Sequence, residues 1–222
     1  LHAFFRETTF STALTPLLIS SYELESQLPF FFKSHRIADK REHDWKVTTI
    51  ARATSAAPTF FPPLHITRGG NGHTLVDGGV FVNNPAMAAY AEARRLYPNA
   101  TDFLVAAVGT GDRQDHIHYS SARKWGLLRW AKQIVPVFMD SVSEAVDYEL
   151  RWILKCKYYR LQVLDLSPAS NEMDDVTPAN LANLQAVARE YVQRESKTLK
   201  ELCSELKAGR GSDMPGIGRK SA

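Results

Sequence analysis

Cysteine is scarce in this chain. Cys156 and Cys203 are the two present, they lie far apart, and they fit no metal-ligand spacing. Such low usage suits a reducing compartment. Long hydrophobic runs are lacking too, and none approaches the ~18 apolar residues of a membrane span. Charge of one sign is also missing. The 27 Lys and Arg against 24 Asp and Glu leave a net charge of +3. That excess is too small, without an aromatic-and-basic stripe, to argue for nucleic acid. No initiator methionine is present, and Leu1 is followed at once by His2 and then by Arg6 and Glu7, which is no signal peptide. The expectation is a cytoplasmic protein, the mild basic charge reading first as a solvated surface and a loose tail, with peripheral contact to an anionic lipid surface as the alternative.

What is there is ordinary globular material. Hydrophobic residues make up 44% and charged residues 23% of 222 residues, enough for a real core and suited to one domain or a large part of one. Residues 1–207 read as that domain. Residues 208–222, basic and glycine-rich, read as a disordered tail. No internal repeat occurs.

Residues 1–13 suggest a short helix broken by Thr15-Pro16. Leu17 to Tyr22 and Phe30 to Lys33 read as strands, and the polar ELESQ between them makes a hairpin. Residues 35–45 are charged and loop-like. Val47 to Ala57 reads as a small-residue helix stopped before Pro58. Thr74 to Val76 predicts a strand running into Asp77-Gly78-Gly79. Asn84 is a good helix N-cap and Pro85 a good first helical residue, so a helix is expected to about Tyr97. Phe103 to Val108 reads as a buried strand ending in Gly109-Thr110-Gly111. Two helical stretches are expected over 122–154, a strand over Tyr158 to Leu166, and a last helix from Thr177-Pro178 to about Leu206. Strands alternating with helices imply an α/β fold.

The chemistry centres on Asp77. A strand running into Asp-Gly-Gly puts a carboxylate at the end of a sheet, where active sites of α/β folds form. Two glycines let the backbone turn sharply and approach a neighbour closely. Such a carboxylate accepts a proton from a nucleophile or a water. On the triplet alone, a plain tight turn is the favoured reading.

Context gives the triplet more weight. ARATSAAPTFFPP (Ala51 to Pro63), LVDGGVFVNNPA (Leu75 to Ala86) and AAVGTG (Ala106 to Gly111), in this order, resemble the patatin-like phospholipase family. MDSVSEAVDYELRWIL (Met139 to Leu154), YYRLQ and DDVTPANLANL agree, so the resemblance covers roughly residues 3–206. It implies a three-layer α/β/α sandwich of which this chain supplies the C-terminal part, the N-terminal strands and nucleophile elbow being absent. It also implies a lipid acyl hydrolase of lipid catabolism, working through a Ser-Asp dyad. The serine attacks the ester carbonyl, and Asp77, within the motif Asp77-Gly78-Gly79, takes the hydroxyl proton. No metal or cofactor is implied, and the partner is the lipid substrate.

The nucleophile belongs in a Gly-x-Ser-x-Gly elbow. No serine in this chain stands two residues after a glycine. Gly69-Gly70-Asn71-Gly72 reads as a connecting loop rather than an oxyanion loop. Truncation is the expected reason for the missing serine. The alternative is a catalytically inactive pseudoenzyme or a lipid-binding and interaction module. Losing first strands would also leave exposed apolar faces.

Weaker constellations remain. His116 and His118 beside Asp112 and Asp115 read as a solvated loop rather than a metal site. Gly109-Thr110-Gly111 lacks the ending of a nucleotide loop. Trp125, Leu127, Leu128, Trp130, Ile134, Val135, Val137 and Phe138, interleaved with Arg123, Lys124, Arg129 and Lys132, are expected to pack as core with the basic residues outward. A lipid-facing cap is the alternative.

Overall fold

The computed structural model describes residues 1–39, 41–111, 117–170, 172 and 174–209. The fold is mixed α/β, with sheets and helices together, as the sequence predicts. It divides into two compact units. Leu1–Thr101 with Trp125–Ile153 form one, and Asp102–Lys124 with Leu154 onward form the other.

The first unit is built on four antiparallel strands. β1 (Leu18–Glu23) and β2 (Leu28–Lys33) form the expected hairpin, with Leu18 opposite Lys33 and Glu23 opposite Leu28. β3 (Leu64–Arg68) and β4 (Asn71–Asp77) form a second hairpin. The sheet order is β2-β1-β4-β3, with Ser21 opposite Asp77. The segment expected to be a plain connecting loop is thus part of a hairpin. Gly69 and Gly70, with φ of 60° and 83°, form its two-residue turn, the backbone that a tight hairpin between right-twisted strands requires.

Period-two alternation sends the two faces of this sheet to different helices. On one face, Phe32, Ile66 and Leu75 pack with Phe10, Ile50 and Ala53 into the core. Ile50 and Ala53 come from α2 (Val47–Thr54). On the other face, Tyr22 and Phe31 stack on Phe81, at centroid distances of 6.0 and 5.7 Å. Phe81 belongs to α3 (Gly79–Val82). Lys33, on the same side as Phe31, reaches Glu92 of α4 (Ala86–Leu96) at 2.7 Å. The sheet of this unit is therefore covered by helix on both faces. A four-residue helix α1 (His2–Phe5) precedes it.

The turn between β1 and β2 is held by a carboxylate. Glu23 accepts from the amides of Ser26 at 2.6 Å, Thr74 at 3.0 Å and Glu25 at 3.2 Å. Glu23 is 5% exposed, so each bond forms where water competes poorly.

The region expected to hold two helical stretches is a four-residue helix α5 (Tyr119–Ala122), in the second unit, followed by one 28-residue helix α6 (Leu127–Leu154). Pro136 lies inside α6. It removes the N–H that the Lys132 carbonyl would accept, yet the helix runs through. The expected core packing at the start of α6 is not found, since Leu127 and Leu128 are each 85% exposed.

The second unit pairs β5 (Val105–Val108) with β6 (Tyr158–Leu161) in parallel. β5 is not the buried strand expected: Ala107 is buried, but Val108 is 75% exposed. β6 ends at Leu161 rather than Leu166. The expected last helix is two helices, α7 (Pro178–Arg194) and α8 (Ser196–Gly209), separated at Glu195. Thr177 caps α7 by accepting from the Asn180 amide at 3.3 Å. The tail from residue 210 lies outside the described residues.

Candidate active site

The Asp77 turn is fixed from three sides within the first unit. β4 delivers Asp77 beside Ser21 of β1, and the Asp77 amide donates to the Ala56 carbonyl at 3.0 Å, just beyond α2. The Gly79 amide donates to Asp77 Oδ1 at 2.7 Å. This local turn is the one that Asp-x-Gly sequences favour. The backbone then enters α3, with Val82 N–H donating to Gly78 O at 3.0 Å.

The two glycines do different work. Gly78 has φ −65° and ψ −24°, which any residue adopts. Its need is space: a β-carbon there would lie 2.6 Å from Ser20 Cβ and 2.7 Å from the Ser20 carbonyl carbon. Gly79 faces the site itself. A β-carbon on it would meet Asp77 Oδ1 at 3.2 Å, Met139 Cε at 3.5 Å and Asn83 Oδ1 at 3.7 Å.

Asn83 and Asn84, read from sequence only as a helix start, also hold the turn against α6. Asn83 Nδ2 donates to Met139 O and Asn84 Nδ2 to Ser143 O, each at 3.4 Å. Those carbonyls are four residues apart and so share one face of α6. Asn84 Oδ1 accepts from the Ala86 amide at 3.2 Å, but α4 begins at Ala86, one residue later than expected, and Pro85 rather than Asn84 stands at its N-cap. No local sequence signal links Asn83 to Met139, 56 residues away.

Asp77 is half-buried. Oδ1 is engaged by Gly79, and among the described residues no side chain bonds Oδ2. The turn therefore presents one carboxylate oxygen free to accept a proton. No serine hydroxyl is hydrogen-bonded to Asp77 among the described residues. Ser21, opposite it, is a satisfied core serine whose Oγ donates to Val76 O at 2.5 Å.

The weaker constellations separate from this turn. Asp112, Asp115 and His116 lie outside the described residues. No group of three or more His, Cys, Asp or Glu able to hold a metal occurs among the described residues. The Gly109-Thr110-Gly111 turn has a packing reason: Gly109 is pressed against the Gln162 side chain, and Gly111 has φ 104° against Leu166. Among the described residues, no helix is long and apolar enough to cross a membrane.

Comparison with known proteins bears on this turn. Residues 1–90, which include Asp77, match the family model described as patatin-like phospholipase. The chain is 31% identical over 215 residues to Patatin-like protein 1 of Arabidopsis thaliana, an alignment covering 84% of this chain and 52% of that protein. It is 32% identical over 213 residues to Patatin-15 of Solanum tuberosum, covering 85% of this chain and 55% of that protein. The chain thus spans about half the length of the curated relatives it matches.

Proposed function

The chain resembles patatin-like phospholipases over most of its length, and we propose that it carries the proton-accepting half of a lipid acyl hydrolase. Asp77 is the base of a Ser-Asp dyad whose serine lies outside these 222 residues. The serine oxygen attacks the ester carbonyl of a phospholipid, galactolipid or acylglycerol. Asp77 takes its proton and returns it to the leaving alcohol, and water then hydrolyses the acyl-serine. The observation that carries this reading is the free Oδ2 of Asp77 at a strand end, with Oδ1 anchored on Gly79 at 2.7 Å. A fixed carboxylate with one open oxygen is suited to general-base work. Asn83 and Asn84 act as positioning residues by tying the turn to α6.

The test begins with the coding sequence upstream of Leu1. A strand, a Gly-x-Ser-x-Gly and a helix there are expected. In that longer protein, Asp77→Asn lowers kcat/KM for a lipid ester by at least about 10²-fold, the usual worth of a general base. Wild-type-like turnover in Asp77→Asn would sink the assigned role.

The second reading, a non-catalytic lipid-binding or interaction module, has one observation in its favour: no serine here follows a Gly-x pair. Labelling of the longer protein by a serine-directed fluorophosphonate separates the two. Labelling that disappears on Ser→Ala in the elbow supports the hydrolase, and its absence supports the module.

A further inference from the structure

The start of α6 is used neither by the core nor by the Asp77 turn. Every residue from Leu127 to Lys132 is exposed. Leu127 and Leu128 are 85% exposed, and further along Val135 is 59% and Phe138 62% exposed. Scattered surface leucines need no explanation, but a contiguous apolar patch marks a contact site. Leu128, Val135 and Phe138, at i, i+7 and i+10, share one stripe of the helix, and Lys132 at i+4 stands in the same stripe.

Charge decides what fits this face. From Ile117 through Met139 the sequence has no aspartate or glutamate, while it holds Arg123, Lys124, Arg129 and Lys132. A second copy docking symmetrically would bring its own Arg129 and Lys132 against these cations, which repel. A bilayer with anionic headgroups instead takes the apolar residues into the acyl boundary and keeps the cations among the phosphates. The local geometry suits that division. Leu128, Arg129, Lys132 and Gln133 line an open depression of about 430 Å³, with the two cations at its lip able to donate to a phosphate. Trp125 and Trp130 stack edge-on at 5.2 Å, and the Arg129 guanidinium lies 5.4 Å from the Trp125 ring. Indoles of this kind favour the headgroup level of a membrane.

We propose that the first turns of α6, Leu127 to Phe138, dock the protein onto an anionic phospholipid surface, with Arg129 and Lys132 holding headgroup phosphates. The same helix carries Met139, beside the Asp77 turn, eleven residues past Leu128 or about 16 Å along the axis. Docking would thus hold the candidate site close to its lipid. This use of the surface rests on the hydrolase reading, but the binding itself is readable without hydrolysis.

The test is co-sedimentation of the 222-residue chain with vesicles of non-hydrolysable ether lipids, phosphatidylcholine alone or mixed with phosphatidylglycerol. The chain is expected in the pellet only with the anionic mixture, and less so as salt rises. Replacing both Arg129 and Lys132 by Gln weakens partitioning roughly 30-fold, whereas Arg129→Lys with Lys132→Arg retains it. Leu128→Ser with Phe138→Ser, folded by circular dichroism, also releases the protein. Asp77→Asn binds as wild type does. Equal recovery on both vesicle types, or unchanged recovery of the Gln variant, overturns the proposal. So does self-association in vesicle-free solution that Phe138→Ser abolishes. In the longer protein, Asp77-dependent cleavage of a water-soluble ester without vesicle binding would sink the docking surface and leave the dyad standing. Vesicle binding with no such cleavage would support docking and sink the dyad.

Discussion

Gly78 lies against Ser20 so closely that a β-carbon on the glycine would stand 2.7 Å from the Ser20 carbonyl carbon. The obstacle is backbone of β1, which cannot swing aside as a side-chain tip can. Gly78→Ala is therefore expected to push the Asp77 turn off the sheet and destabilise the protein by about 1–3 kcal/mol, the usual range for overpacking. Chemical denaturation measures it. Adding Ser20→Gly should not restore stability, because the backbone contact remains. Full rescue by Ser20→Gly would show that only the side chain resists.

The Asn84 side chain is 3% exposed and serves two elements at once. It accepts from the amide of Ala86, the first residue of α4, and reaches the Ser143 carbonyl of α6. Asn84→Ala loses both bonds and is expected to cost about 1–2 kcal/mol. Asn84→Asp keeps the acceptor toward Ala86 but sets a buried carboxylate against the Ser143 carbonyl, so it should cost at least as much. A clearly smaller loss for Asn84→Asp than for Asn84→Ala in thermal unfolding would mean that the bond to Ser143 contributes little.

Acid stability should depend on two carboxylates. Bonds from Ser26, then from Thr74 and Glu25, hold Glu23 down from 4.5 to about 2. Burial would raise Glu92, but Arg95 and Lys33 outweigh it and hold Glu92 at about 2 as well. A carboxyl pKa lowered by folding stabilises the protein above the unfolded pKa, and that stability fades as pH falls through the folded one. Unfolding free energy should thus be level above about pH 5 and decline toward pH 2. Glu23→Gln and Glu92→Gln should each flatten part of that decline in urea titrations at several pH values. An unchanged slope in both variants would refute the assignment.

Two glycines should respond to alanine differently. Gly111 has φ 104° and presses on Leu166, so Gly111→Ala is expected to destabilise by at least about 1 kcal/mol. Gly126 has nothing within 4 Å of a built β-carbon and no positive φ, and its carbonyl accepts from amides in the first turn of α6. Gly126→Ala should change stability by less than about 0.5 kcal/mol, because restriction of the unfolded chain is offset by loss of the glycine favoured before a helix. Thermal shifts of equal size would contradict this.

Local chemistry was legible in the sequence where a few neighbouring residues decide the backbone. The β1–β2 hairpin, the strand into Asp77 and the start of α7 at Thr177-Pro178 all lie where composition places them. The β3–β4 hairpin carried a readable signal as well, Gly69-Gly70 between alternating residues, which passes for a loop because β3 is only five residues long.

The sequence by itself determined the mixed α/β class, the likeness to patatin-like phospholipases, and an aspartate followed by two glycines at a strand end. Those features rest on turn chemistry, capping and periodicity, which act over a few residues. Tertiary structure alone decided that β1 pairs with β4, that Gly78 abuts Ser20, and that Asn83 and Asn84 reach α6. It also decided that α6 continues through Pro136 and leaves Leu127 and Leu128 in solvent. The reason is distance along the chain. Contacts between residues some 55 positions apart form only after separate elements pack, and a helix's apolar stripe does not say whether protein, lipid or water meets it.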